Sequence, residues 1–390
     1  LPGSRSTTTT ISPAREKKFS STLPDGGAKT TGSELLSVWH RQMELPRYLR
    51  AVEGRAALVS VLDELAGELG FQRLALISGP TVTLALASGL ATELAGVGSK
   101  PLCAHDNSRQ QVESLAASPE LRSIDAVVAV GGGRTIDVAK LVCEQLELPV
   151  IVVPTQLTAD GIASPVSVVR AHTGEIESLR ARLPIGVVVD LEVVASSPVE
   201  SARAGLGDLL ANACAVRDWR RAAAIGRETV DDFAALLAQA ASDLVSGTDV
   251  KGLASGTFDR ALLQRLLQGL VLSGLAMEIA GSSRPCSGSE HLVSHAIDRL
   301  YPGTARHGEQ VAFGAMLCSR LQEEDWRALK AVLVDAGMDR AVCGFGLSEQ
   351  QIGEALRAAP STRPGRYTVL DEVDLTDAGL RPVVAEVLRA

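Results

Sequence analysis

Between about Ser33 and Val194 the chain alternates short aliphatic and β-branched runs with stretches of helical texture. RLALISG is followed by PTVTLALASGLATELAGVG, then KPLCAHD, then DAVVAVGGG with RTIDVAKLVCEQLE behind it, then LPVIVVPT. Continuous apolar runs suit strands whose sheet is covered on both faces, so the series predicts βαβ units around a buried parallel sheet. After about Ser196 the texture changes to long Ala/Leu/Arg-rich segments such as VDDFAALLAQAASDLV and RALLQRLLQGLVLSGLAMEIA, none of which reads as a strand. The stretch ASSPVESA separates the two textures. The predicted organisation is an α/β dinucleotide-binding domain over residues 34–195 and an all-helical, metal- and substrate-binding domain over 196–390. Residues 1–33 are dominated by Ser, Thr, Pro and Gly, too poor in large apolar side chains to offset ordering entropy, and are expected to form a disordered tail.

Composition narrows the class. Of 390 residues, 46% are hydrophobic and 22% charged, which suits an enzyme-sized chain with a large core. A formal net charge of −8 without any dense Lys/Arg block argues against nucleic acid as a partner, so a small anionic ligand would need a local site. Six cysteines without a C-x-x-C pair read as free thiols in a reducing compartment, four of them buried in apolar or small-residue surroundings. No apolar run is expected to span a bilayer, and the N-terminal segment lacks the apolar stretch of a secretory signal. A cytoplasmic protein is the expectation.

DAVVAVGGGRTIDVAK sets three glycines between a buried strand and a helix. Missing β-carbons let a pyrophosphate approach the backbone, and the helix start offers unpaired N–H donors. The spacing is not G-x-G-x-x-G, so an ordinary glycine turn remains the competing reading of this motif alone. The next strand ends in VPTQLTADGIASP, where Thr155, Thr158, Asp160 and Ser164 crowd a loop at the carboxyl edge of the sheet, the edge where open α/β sheets bind ligands. The first strand of the series ends LISGPT, with Gly79 where a carboxylate could have selected a ribose 2′-hydroxyl. Both NAD and NADP are therefore expected to be usable.

Three of the chain's six histidines fall within AGSSRPCSGSEHLVSHAIDRLYPGTARHGEQVAFG. His291 and His295, at i and i+4, share a helix face, while His307 stands in a loop or at a new helix start. AGLGDLLANACAVRDW adds Asp208 and Asn212, one turn apart at a predicted helix start, where a carboxylate can also serve only the helix dipole. Two histidines and a carboxylate from another segment make a three-ligand site with an open position, suited to one divalent transition ion such as Zn, Fe or Ni. The spacing leaves open which two histidines take part.

GGGRTIDVAK, PTQLTADGIASP, GLGDLLANACAVRDW, GSSRPCSGSEHLVSH and RHGEQVAFG, in that order, resemble the sn-glycerol-1-phosphate dehydrogenases. These belong to the superfamily of iron-containing alcohol dehydrogenases and dehydroquinate synthases. The resemblance runs from about Trp39 to the C-terminus. It implies a dehydroquinate synthase-like fold, α/β then all-helical, with the site in the cleft between the halves. Carried over by motif, Asp208, His291 and His307 would be the metal ligands, and Asp160 and His295 would contact substrate, with Asp208 doing so too. Gly131, Gly132, Gly133, Arg134, Thr135, Thr155, Gln156, Leu157, Thr158 and Ser164 would contact NAD or NADP. The implied reaction is reduction of dihydroxyacetone phosphate to sn-glycerol 1-phosphate. The alternatives are a superfamily enzyme acting on another aldehyde, polyol or sugar phosphate, and a dehydroquinate-synthase-like cyclase. A homo-oligomer with a small-molecule substrate completes the expectation.

Overall fold

The chain was analysed as a computed structural model that describes residues 46–98 and 100–389, so the tail expected over residues 1–33 lies outside the described residues. Eight strands come first: β1 (Tyr48–Val52), β2 (Leu74–Ser78), β3 (Leu102–Cys103), β4 (Ala126–Gly131), β5 (Val150–Pro154), β6 (Val166–Arg170), β7 (Ile176–Arg180) and β8 (Gly186–Asp190). Six form one parallel sheet in the order β1-β8-β5-β4-β2-β3, and β6 and β7 form a separate antiparallel hairpin. Helices α1 (Arg55–Leu69), α2 (Val82–Glu93), α3 (Arg109–Ala116) and α4 (Gly133–Gln145) stand between strands, and α5 (Leu191–Ala195) follows β8 directly.

Side-chain alternation divides the sheet's two faces. Leu74, Leu76, Val128, Val130, Ile151 and Val153 pack under Leu58, Leu62 and Leu65 of α1 and Leu90 of α2. Ala75, Ile77, Val127, Ala129 and Val152 meet Ile136, Ala139 and Val142 of α4 in a cluster that continues into the helices beyond α5. Strands β2, β4, β5 and β8 are buried along their whole length, which is why they read as unbroken apolar runs.

All later elements are helical: α6 (Val199–Ala224), α7 (Asp232–Ser246), α8 (Arg260–Ala280), α9 (Ser289–Leu300), α10 (His307–Leu321), α11 (Trp326–Asp335), α12 (Asp339–Val342), α13 (Glu349–Ala358) and α14 (Asp377–Arg389), with short 3-10 turns between some of them. Among the described residues no strand follows β8. Against the expectation of no membrane-length apolar run, α8 is long and apolar enough to qualify, but 67% of that window is buried in the protein. Its Leu262, Leu266, Leu270 and Val271 belong to the main core, which accounts for its composition.

Helices α6 and α10 approach at backbone distance. A β-carbon at Gly308 would overlap the Ala204 carbonyl, and one at Gly207 would overlap the Gly308 carbonyl. Gly205 meets the Leu157 carbonyl in the same way, which clamps the loop after β5 onto α6.

Candidate active site

The turn after β4 lies where the sheet reverses order, because β2 has β3 on one side and β4 on the other. Open α/β sheets leave a crevice beyond the carboxyl ends of such strands. Gly132 caps α4 in extended geometry, and the amides of Gly133 and Arg134 start the helix without partners inside it. The turn is a cradle that side chains would fill. A β-carbon on Gly131 would lie 2.8 Å from that of Thr135, and those on Gly132 and Gly133 would stand 3.4 Å from Gln156 Oε1 and Thr158 Oγ1. Gly79, at the end of β2, opens onto Thr83 and Thr135 in the same manner. Exposed amides without β-carbons fit a dinucleotide pyrophosphate.

The loop Thr155–Ile162 borders this cradle and reaches the helices. The Thr155 amide donates to the Gly131 carbonyl at 2.9 Å, and the Asp160 amide donates to Asp208 Oδ2 at 3.1 Å. Lys140 of α4 holds the loop from below, its ammonium donating to the carbonyls of Gly161 (2.8 Å) and Val166 (2.6 Å). The expected contact residues differ in their exposure. Arg134 is exposed, Leu157 is a core side chain, and Ser164 is buried with its hydroxyl donating to the Val166 carbonyl.

Asp208 lies in the middle of α6, so its carboxylate is not the first-turn group its sequence context suggested. His291 occupies the first turn of α9, and His307 is the first residue of α10. Ligand atoms of Asp208, His291 and His307 lie within 4.8 Å of one another, with His291 Nε2 3.7 Å from Asp208 Oδ1. The His295 ring centroid stands 6.3 Å from that of His291 and 6.1 Å from that of His307, with its ring stacked on the latter. Asn212 is used elsewhere, its amide donating to Ser273 Oγ at 2.7 Å.

Both converging imidazoles are oriented from behind. Glu290, fully buried, takes His291 Nδ1 at 2.9 Å and the Gly288 amide at 2.6 Å. His307 Nδ1 meets Ser294 Oγ at 3.2 Å, and that hydroxyl donates to Gln310 Oε1 at 2.9 Å. Each histidine can thereby present a bare Nε2 toward Asp208, the arrangement by which outer groups fix metal-ligating imidazoles. Burial raises Asp208 well above the usual carboxylate range, with Asp160 adding to the rise. Asp160 is lifted to about 7, chiefly by burial, against the pull of Lys140 and with the help of Asp137. Burial and the guanidinium groups of Arg366 and Arg363 lower His291 to about 3. His307 is lowered by desolvation of its ring and by His291; the residue is exposed at the rim, so water offsets much of the first contribution. Neutral imidazoles beside crowded carboxylates form a donor set that a divalent cation would stabilise. Glu290, Ser294, Asp137 and Lys140 escaped the sequence reading, although Glu290 precedes His291 directly and Ser294 sits one turn after it.

A family profile described as iron-containing alcohol dehydrogenase matches residues 55–198. A glycerol-1-phosphate dehydrogenase [NAD(P)+] of Hyperthermus butylicus is 38% identical, over 86% of this chain and 95% of its own length. One from Nitrosopumilus maritimus is 34% identical over 86% and 93%. Among solved structures, a probable glycerol dehydrogenase from Sinorhizobium meliloti superimposes with a TM-score of 0.70 at 23% identity, covering 89% of this chain and 98% of its own. A sulfoacetaldehyde reductase from Bifidobacterium kashiwanohense in complex with NAD+ gives 0.68 at 19% identity over 90% and 99%.

Proposed function

Since the chain belongs to the glycerol-1-phosphate dehydrogenase family of the iron-containing alcohol dehydrogenases, we propose that it reduces dihydroxyacetone phosphate to sn-glycerol 1-phosphate with NADH or NADPH. The observation that carries the reading is the convergence of Asp208, His291 and His307 beside the loop that also borders the glycine cradle. In this reading Asp208, His291 and His307 hold one divalent ion, and the Gly131–Thr135 turn with Thr155, Gln156 and Thr158 holds the dinucleotide. When bound, the ion supplies Lewis acidity at the ketone oxygen and the nicotinamide supplies the hydride.

The chain's own residues position and protonate. Glu290 and Ser294 fix the two imidazoles so that each turns Nε2 inward, and Lys140 fixes the loop that carries Asp160. Asp160 and His295 take the substrate hydroxyls. Burial favours the protonated form of the Asp160 carboxyl and the neutral form of the His295 imidazole, and a neutral imidazole offers one donor and one acceptor. That pair supplies the proton the product hydroxyl requires. Residues 34–195 thus carry the nucleotide site and lend Asp160 to the substrate, while residues 196–390 carry the metal ligands and His295. A cytoplasmic homo-oligomer belongs to the same reading.

Three measurements test it together. Purified protein should carry close to one divalent ion per chain, oxidise NADPH with dihydroxyacetone phosphate, and form a product that a glycerol-3-phosphate-specific enzyme does not consume. His307→Ala and Asp208→Asn should lose ion and activity together. Full activity after exhaustive chelation would refute the metal assignment, and no consumption of dihydroxyacetone phosphate by the metal-loaded protein would refute the substrate.

A further inference from the structure

Two arginines near the histidines form no carboxylate ion pair among the described residues. Arg363 and Arg366 follow α13 and the turn Ala359–Thr362, flanking Pro364 and Gly365, and Gly365 adopts φ +87°. Both guanidinium groups donate to one hydroxyl: Arg363 Nη1 to Ser283 Oγ at 2.9 Å and Arg366 Nη2 to the same atom at 3.1 Å. Arg366 Nη1 also donates to the Ser287 carbonyl. Ser283 and Ser287 belong to SSRPCSG, the motif that leads into α9 and His291. Among the described residues neither arginine enters an ion pair, whereas neighbouring Arg284 pairs with Glu228 at 2.8 Å. The nearby Glu290 carboxylate accepts from His291 and the Gly288 amide through Oε1, its Oε2 has no hydrogen-bond partner, and neither oxygen comes within ion-pair distance of the two arginines.

Holding two half-buried guanidinium groups side by side on a neutral hydroxyl and a carbonyl is unfavourable unless something anionic completes the site. Burial, then Arg363 and Arg284, pull Arg366 down to about 9 even though the carboxylates of Glu290 and Glu228 pull the other way. The same pair acts on the reacting centre, since both arginines depress His291 and His295. Their field reaches the pocket that would hold the ketone. The N–H donors of these two planar forks that are not spent on Ser283 and Ser287 suit the oxygens of a phosphate monoester dianion, and two positive charges match its charge.

We propose that Arg363 and Arg366, spaced by Ser283, form the subsite for the substrate's phosphate. The inference rests on the reading of the substrate as a phosphorylated ketone, and it names the groups that make the enzyme prefer that ketone to its unphosphorylated counterpart. The 359–368 segment thereby becomes the specificity element of the site, contributed from the far C-terminal side of the metal-ligating helices.

The test uses the zinc-loaded full chain, with NADP+ in the protection experiment and NADPH in the turnover assays, and inorganic phosphate, dihydroxyacetone phosphate and dihydroxyacetone as probes. Inorganic phosphate should compete with dihydroxyacetone phosphate and protect Arg363 and Arg366 from phenylglyoxal, read by mass spectrometry of the wild-type protein. Arg363→Gln and Arg366→Gln should each raise KM for dihydroxyacetone phosphate about tenfold or more, the scale of a lost charged hydrogen bond, and should shrink the preference over dihydroxyacetone by a similar factor. Arg366→Lys should fall between Gln and wild type. Metal content checks that each variant is folded, and the protection experiment needs no variant. Values of KM within about twofold of wild type in metal-loaded variants, or no protection by saturating phosphate, would overturn the subsite. Turnover of dihydroxyacetone phosphate that ignores both arginines removes the subsite and keeps the reaction. Phosphate protection without such turnover keeps the subsite and removes the reaction.

Discussion

Replacing Lys140 by methionine tests whether the loop between cradle and metal ligands is held by a single buried cation. Lys140 is fully buried, and its ammonium donates to the Gly161 and Val166 carbonyls at 2.8 and 2.6 Å. Methionine keeps most of the stem volume and removes the charge and both bonds. A hydrogen bond from a charged group contributes about 1.5–3 kcal/mol, two such bonds are lost, and the Gly161 carbonyl loses its lysine partner while that of Val166 keeps the Ser164 hydroxyl, so the expected loss is about 3–5 kcal/mol, the range found when one partner of a buried ion pair is removed. The pH dependence sharpens the test. Burial lowers Lys140 to about 8 against the pull of Asp137 and Asp160, from about 10.4 in an unfolded chain. Between those values the unfolded chain holds more protons, so this group's contribution to stability rises with pH across that window. In the variant, Asp137 and Asp160, already lifted to about 6 and about 7 with burial as the main cause, lose the cation that restrained them. Their folded-state ionisation becomes costlier, so the variant loses more stability as pH rises through that range. Both contributions widen the gap between wild type and variant with rising pH. Urea unfolding at about pH 6, about pH 7.5 and about pH 9 reads the gap directly. A gap below about 1 kcal/mol at the middle pH, less than a single such bond, or a gap that narrows toward the highest pH, would refute the reasoning.

Glu290→Gln should weaken zinc affinity about 10- to 100-fold, the usual cost of losing an outer-shell carboxylate, measured by competition with a chelating dye; unchanged affinity would remove Glu290 from any role in orienting His291. Gly308→Ala, which drives a methyl group into the Ala204 carbonyl, should cost at least about 3 kcal/mol, the upper end of ordinary overpacking, and lower metal content along with the urea midpoint. With Gly79 at the end of β2, NADH and NADPH should give kcat/KM values within about a hundredfold of each other, or roughly 2.7 kcal/mol. A larger preference for NADH would mean that another acid, such as Asp106, does the selecting.

The parts of the architecture that were legible in the sequence share one physical property: a dense content of buried apolar side chains. β2, β4 and β5 announce themselves because burial along the whole strand leaves continuous apolar runs, and α4, α7 and α8 because many Ala, Leu and Val side chains enter the core even though Arg134, Leu236 and Gln268 are exposed. β1 and the β6–β7 hairpin do not, because their mixed exposure interleaves residues such as Arg50, Ser167 and Arg170 with the apolar ones. In the site, the three histidines stood out through rarity and helical spacing. Their relation to Asp208 could not be read from spacing, since it depends on three helices meeting. The groups behind them, Glu290 and Ser294, look like ordinary polar residues until the fold turns them toward the rings. Lys140 was hidden by the same logic: a lysine on an exposed helix face and one buried under a loop read identically in one dimension.

The pairing of β1 with β8 sets a constraint on how the protein is made. The first strand described finds its sheet neighbour only in the last strand of the sheet, and the Gly54 amide is tied to the Asp190 carboxylate 136 residues away. A chain leaving the ribosome therefore carries β1 unpaired until β8 has emerged. At about 5–20 residues per second that is an interval of many seconds. Throughout it the strand offers a ladder of free backbone groups to any passing edge. Its outward side chains include Leu49 and Arg50, and the charge of Arg50 discourages strange partners during the wait. Fusions or slow codons that lengthen the stretch between these two strands should accordingly lower the yield of folded protein before they alter its stability or its catalysis.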